Sequence, residues 1–222
     1  MCPASSDKMK KEFVQAGGVQ MKNNKKRAGA ALAASALFIL LALFYDSARL
    51  QAFDKFLSEW LEGAAFLKGF SYLGNPSTIA LICSVVVVML LINRSPRDAM
   101  FIVLAVGLGY AVNEGLKEWF ARPRPDMPGQ LESYSFPSGH AQMGFLYVSS
   151  IGMVAMRRLR SGFWRKAVPA AAGILIAGIG VSRIVLGRHY ATDVLAGWAA
   201  GTAFLLLLVI LFSFWNRGRL QS

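Results

Sequence analysis

The side chains able to do chemistry fall in three clusters. Lys117 is separated by six residues from Arg124 and Pro125. Pro137, Ser138, Gly139 and His140 form an unbroken run. Ser182 and Arg183 are followed after five residues by His189, and after three more by Asp193. Both histidines of the chain lie in these clusters. A phosphoryl group in transfer spreads negative charge over its equatorial oxygens and needs several fixed donors. Lys117, Arg124 and Arg183 supply cations, and the arginines add a planar fork matched to phosphate. Ser138 and the backbone N–H groups around Gly139, at the start of a helix, add neutral donors and a favourable dipole. A nucleophile and an acid are still required, and near neutral pH two histidines are the natural candidates.

His189 and Asp193 stand four apart, which on a helix puts both on one face, so the carboxylate can accept from one ring nitrogen. The other nitrogen keeps a lone pair of raised basicity, as a nucleophile needs. His140 has no such partner within its own run and is free to protonate a leaving oxygen. Metal binding is the rival use of two histidines and an aspartate, but three cations crowd the same clusters and repel a metal ion. The expected site is metal-free and needs no cofactor. A lone interfacial cation is more often a snorkelling anchor, which accounts for Arg49, Lys68 and Arg188. That reading fails for the clustered set, because ionisable groups near membrane depth are costly and seldom gather without a task.

The elements that must position these groups follow from composition. The chain is 55% apolar and 16% charged, against about 25% charged in a soluble domain. Apolar runs at about 28–45, 76–92, 99–116, 141–156, 167–186 and 194–214 each approach the roughly 20 residues of a bilayer crossing. The expected fold is all-α: a polytopic membrane protein of six transmembrane helices, with an interfacial amphipathic helix between the first and second. Residues 1–27 would form a basic cytoplasmic segment, 28–216 the membrane domain and 217–222 a short tail.

The N-terminus, Arg94 with Arg97, the turn holding Arg157, Arg158, Arg160, Arg165 and Lys166, and the tail with Arg217 and Arg219 carry 16 of the 24 Lys and Arg. All fall on one side, which the positive-inside rule makes cytoplasmic. Both termini are then cytoplasmic and the three clusters face outward. In residues 50–67, Leu50, Phe53, Phe56, Leu57, Trp60 and Leu61 recur at spacings of three and four, with Asp54, Lys55, Ser58, Glu59 and Glu62 opposite. That helix either lies in the outer interface or packs on the spans. The net charge of +12 is set between apolar runs, which points to anionic lipid headgroups and away from nucleic acid. Cys2 and Cys83 belong to different membrane levels, so no disulfide is expected, and Cys83 reads as a small buried hydrophobe. Gly107, Gly109, Gly173, Gly178, Gly180, Gly197 and Gly201 read as close helix packing, and Trp119, Trp198, Tyr110 and Tyr190 as interface or packing residues.

K-x6-R-P, P-S-G-H and S-R-x5-H-x3-D, in that order over residues 117–193, resemble the signature of the type 2 phosphatidic acid phosphatase family, whose site is shared with the vanadium haloperoxidases. Phe53, Asp54 and Gly74 resemble its less specific N-terminal features. The resemblance implies that His189 attacks phosphorus, Asp193 orients it and His140 acts as general acid. It also implies that Lys117, Arg124, Ser138, Gly139 and Arg183 hold the phosphate. Arg122 and Pro123 repeat the Arg-Pro pair two residues early; spacing from Lys117 selects Arg124 and leaves Arg122 as a headgroup or interface contact. The implied partner is a phosphorylated lipid of a bacterial cell membrane: undecaprenyl diphosphate, phosphatidylglycerol phosphate or phosphatidic acid. A transporter or a lipid-phosphate-binding protein is the alternative. The polar residues crowd one side rather than tracing a path across, and His140, His189 and Asp193 are all present.

Overall fold

A computed structural model of the chain describes residues 3–159 and 162–218. Cys2, Arg160 and Arg219 lie outside the described residues. Those described are helical, without a strand: α1 (Pro3–Phe44), α2 (Ala48–Trp60), a 3-10 segment (Ala65–Gly74), α3 (Pro76–Ile92), α4 (Pro96–Phe120), α5 (Gly139–Arg158), α6 (Trp164–Val185) and α7 (Ala191–Gly218).

Local chemistry sets the ends of these helices. Pro76 and Pro96 open α3 and α4, where a missing N–H leaves nothing unpaired. Ser47 and Ser138 cap α2 and α5, each hydroxyl accepting at 3.5 Å from a backbone N–H three residues on. α4 stops at Ala121, whose φ of 46° turns the chain left-handed while its N–H donates to the Lys117 carbonyl.

Each expected apolar run coincides with a helix, but not all six of these helices are by themselves long and apolar enough to mark a crossing. Met21–Phe44, Pro96–Phe120, Trp164–Val185 and Ala191–Trp215 are long and apolar enough to cross a membrane. α3 reaches that standard only together with the 3-10 segment, from which it bends by 56°. Four helices qualify among the described residues, or five with this bent pair. α5 falls short because it is the most enclosed helix: Gln142, Leu146, Ser150 and Val154 are all buried in protein. A helix walled by other helices has no need of an apolar surface for lipid.

α5 packs against α4, α6 and α7, with Phe101, Ile102, Ala105, Leu146, Ile179 and Leu205 in the shared core. Cys83 is buried in the same cluster. Gly109 receives Leu146, and a Cβ on Gly197 would stand 2.6 Å from the Ser138 carbonyl oxygen, so only glycine lets α7 touch the start of α5. Gly107 and Gly173 face open space, so close packing does not explain those two. α1 lies along α7, where the Asn24 amide donates to Ser213 Oγ at 2.6 Å. Phe136 is fully buried among Phe38, Tyr45 and Phe120, with ring centroids 5.7, 5.1 and 5.1 Å away. Burying such a ring contributes about 1.5–3 kcal/mol and pins the chain immediately before Pro137 and Ser138. At the opposite end of the bundle Asp98 pairs with both Arg157 and Arg158 at 2.8 Å.

α2 is docked rather than free. Leu57 and Leu61 pack with Ala141, Ile184, Ala191 and Val194, while Phe56 and Trp60 point outward. Asp54, expected on the solvated face, is only 4% exposed.

Candidate active site

The three clusters converge at one end of the bundle, on the C-terminal ends of α4 and α6, the N-terminal ends of α5 and α7, and the connections between them. The chain leaves α6 through Gly187, at φ 63°, so His189 stands just before α7 rather than on it. Its ring is buried. Nδ1 faces Asp193 Oδ2 at 3.4 Å, longer than an ordinary hydrogen bond, and Nε2 lies 3.0 Å from Arg124 Nη1. A guanidinium has only donors, so Nε2 is the acceptor and Nδ1 carries the proton. Burial pushes the His189 pKa down to about 4; Asp193 opposes this through its hydrogen bond and charge, while Arg124 and Arg183 add to the lowering. The lone pair on Nε2 is therefore present throughout the neutral range.

Asp193 joins two clusters. Its backbone oxygen accepts from the Ser138 N–H at 3.0 Å, and its Oδ2 from the Tyr190 N–H at 2.9 Å. Arg124 is held by a loop, with Nε donating to the Ser133 carbonyl at 2.6 Å and Nη1 to the Arg188 carbonyl at 2.8 Å. Lys117 pairs with Glu114 at 2.7 Å. A Cβ on Gly139 would come within 2.9 Å of Asn113 Oδ1 and 3.4 Å of Lys117 Nζ, so the glycine brings bare backbone against the lysine. Beneath it, the buried Asn113 amide donates to Gln142 Oε1 at 2.9 Å, and Gln142 donates to the Gly109 carbonyl at 3.2 Å. Arg183 donates from Nη1 to Ser71 Oγ at 2.6 Å, while its buried Nε has no protein partner among the described residues. An unpaired buried N–H of this kind suits a phosphate oxygen.

Two expectations need correction, for Arg122 and Arg188, and one is extended. His140, without a partner in its own run, meets one from elsewhere in the chain: Nε2 lies 3.1 Å from Asn75 Oδ1, at the bend before α3. Gly74 permits the approach, since a Cβ there would come within 2.6 Å of the imidazole. Arg183, His189, Lys117 and Arg124 are near enough to His140 to act on it electrostatically. Arg122 is no headgroup contact. It is 5% exposed, donating to Asp193 Oδ1 at 2.6 Å, to Thr192 Oγ1 at 2.8 Å and to Asp54 Oδ2 at 3.2 Å. Arg188 does not snorkel; it braces the loop by donating to the Gly129 carbonyl at 2.5 Å.

Among the described residues, no three His, Cys, Asp or Glu side chains are grouped to hold a metal ion. A cavity of about 700 Å³ opens beside His189, lined by Gln51, Lys55, Ser58 and Glu59 of α2 and by Pro125 and Tyr190 of the site loops. That volume lies within the range of small-molecule pockets.

A sequence model of the PAP2 superfamily matches residues 98–217, which include all three clusters. Phosphatidylglycerophosphatase B of Bacillus subtilis (strain 168) is 28% identical over 182 residues, covering 77% of this chain and 89% of that protein. Lipid A 4'-phosphatase of Porphyromonas gingivalis is 29% identical over 153 residues, 61% of each chain. The crystal structure of a transmembrane PAP2 type phosphatidylglycerolphosphate phosphatase from Bacillus subtilis matches with a TM-score of 0.72 at 27% identity, over 81% of this chain and 94% of that one. LpxE of Aquifex aeolicus matches with a TM-score of 0.57 at 23% identity, over 75% and 98%, a likeness of fold alone.

Proposed function

The chain belongs to the PAP2 superfamily, and from that premise we propose that it hydrolyses the phosphate ester of a membrane lipid through a phosphohistidine on His189. The observation that carries this reading is the two-sided environment of the His189 ring, with Asp193 at Nδ1 and a phosphate-binding type of side chain at Nε2. When a phosphomonoester enters, Arg124 gives its N–H to a phosphate oxygen and frees the Nε2 lone pair. Lys117, Arg183, Ser138 and the N–H groups at Gly139 take the remaining oxygen charge. Nε2 forms the bond to phosphorus as the bond to the lipid oxygen breaks, and His140 gives that oxygen a proton. The imidazole of His140, now neutral, takes a proton from water. That water attacks phosphorus, inorganic phosphate leaves, and His189 is restored. The dianion of the substrate also offsets the cations around His140, which otherwise oppose a second positive charge there.

Phosphatidylglycerol phosphate is the substrate this reading favours, by likeness to the Bacillus enzyme over most of both chains. Purified full-length protein in detergent, with a strong chelator present, is expected to release inorganic phosphate from phosphatidylglycerol phosphate faster than from phosphatidic acid or undecaprenyl diphosphate. Vanadate should block the release. Folded protein that releases phosphate from none of the three would refute the reading.

The site is proposed to face outward, with α5 crossing the membrane inside the bundle and both termini cytoplasmic. The support is the basic opposite end with Arg94, Arg97, Arg157 and Arg158. In a background with Cys2 and Cys83 changed to serine, Glu132→Cys should react with a membrane-impermeant thiol reagent in intact cells. Arg97→Cys should react only after permeabilisation. The reverse pattern would invert the topology.

A further inference from the structure

Arg122 closes a ring of buried groups from distant parts of the chain. The Thr192 backbone N–H donates to Asp54 Oδ1, and its hydroxyl to Asp54 Oδ2, both at 2.8 Å. Asp54 Oδ2 accepts from Arg122 Nη2 at 3.2 Å, and Arg122 Nη1 donates to Asp193 Oδ1 at 2.6 Å. The guanidinium lies between the Tyr45 and Tyr190 rings, 4.5 and 4.1 Å from their centroids, which fixes its plane. Asp193 thus has its two oxygens assigned to different tasks: Oδ1 is held by Arg122, and Oδ2 faces His189 Nδ1.

We propose that Arg122, anchored by Asp54 of α2, is a positioning residue that fixes the Asp193 carboxylate so that Oδ2 stays directed at His189. The inference rests on His189 being the nucleophile. Two carboxylates buried this close require a cation between them, and only a planar fork can meet Asp193, Thr192 and Asp54 together. Without it the Asp193 carboxylate is held only through the Tyr190 N–H at Oδ2, and the Nδ1 proton of His189 faces a less firmly fixed acceptor. The phosphate-binding side chains are untouched by that change. The expected defect is therefore in turnover, not in substrate binding. Lysine, a single point donor, cannot hold the same three partners.

The test uses the full-length protein in detergent carrying Asp54→Asn, Arg122→Lys, Arg122→Met, Asp193→Asn, or the last two combined. Each variant is first shown to be folded by size-exclusion profile and melting temperature. Asp54→Asn keeps the side-chain shape and carries the test if the Arg122 variants do not fold. On a lipid monophosphate, Asp54→Asn and Arg122→Lys should lower kcat about 10- to 100-fold, the cost of a misdirected catalytic group, and leave KM and the vanadate inhibition constant within about threefold. In the Asp193→Asn background, Arg122→Met should cost less than about threefold further, because its target is already gone. A raised KM or vanadate constant with kcat unchanged would make Arg122 a substrate contact and overturn the proposal. So would losses in the double variant that equal the product of the single ones. Failure of the nucleophile reading is separable, since it shows as turnover retained in His189→Ala with Arg122 intact.

Discussion

Replacing His189 with alanine should lower kcat on a lipid phosphate by at least about 10⁴-fold, the scale seen when the nucleophile of a cooperating set is removed. KM should change far less, because Lys117, Arg124, Ser138 and Arg183 remain. The same group sets an expected pH dependence. Burial holds its pKa down at about 4, so the attacking form exists above that pH and is lost as pH falls through it. The acid-side loss of activity assigned to His189 should thus lie near pH 4, below the value of about 6.5 for a free imidazole. A pH profile of kcat/KM with an aryl phosphate, in the wild type and in Asp193→Asn, checks this. Removing the carboxylate that raises the pKa should move that limb lower still.

The second large effect concerns His140. His140→Ala should slow an alkyl phosphate such as the lipid by about 10²- to 10⁴-fold, the usual contribution of a general acid. An aryl phosphate has a leaving group that departs without a proton, so its loss should stay within about tenfold for the same reason. Asn75→Ala should reproduce this selectivity in weaker form. The Asn75 amide oxygen, 3.1 Å from His140 Nε2, accepts the proton on that nitrogen and so leaves Nδ1 as the nitrogen available to a leaving oxygen. Equal losses on both leaving groups would remove His140 from the acid role.

How far these residues could be read from sequence depends on what holds them. The three clusters were legible because their spacing within short stretches is itself the geometry: helix termini carry them, and helix termini follow from apolar runs, prolines and caps. Asp54 was misread because residues 50–62 have a regular amphipathic pattern, and the pattern cannot tell water from a buried arginine. The partner that draws Asp54 inward, Arg122, lies 68 residues away. Asn75 escaped notice because its meaning comes from His140, which is 65 residues distant and brought near by a bend at Gly74. Only the glycine itself stood out. Hydropathy alone does not mark α5 as a span for a related reason: Gln142 donates to the Gly109 carbonyl of α4 and Ser150 to the Tyr147 carbonyl of its own helix, partners that hydropathy cannot see.

The central claim is a covalent bond between phosphorus and His189 Nε2. Its most direct test is rapid quenching of the purified protein with a lipid labelled in the phosphate, under chelation, followed by mapping of the label. The account predicts a phosphoenzyme that is labile in acid and stable in alkali, with the label on the peptide containing His189 and absent from His189→Ala. Label on His140 or on a serine, or full turnover by the His189 variant, would contradict it.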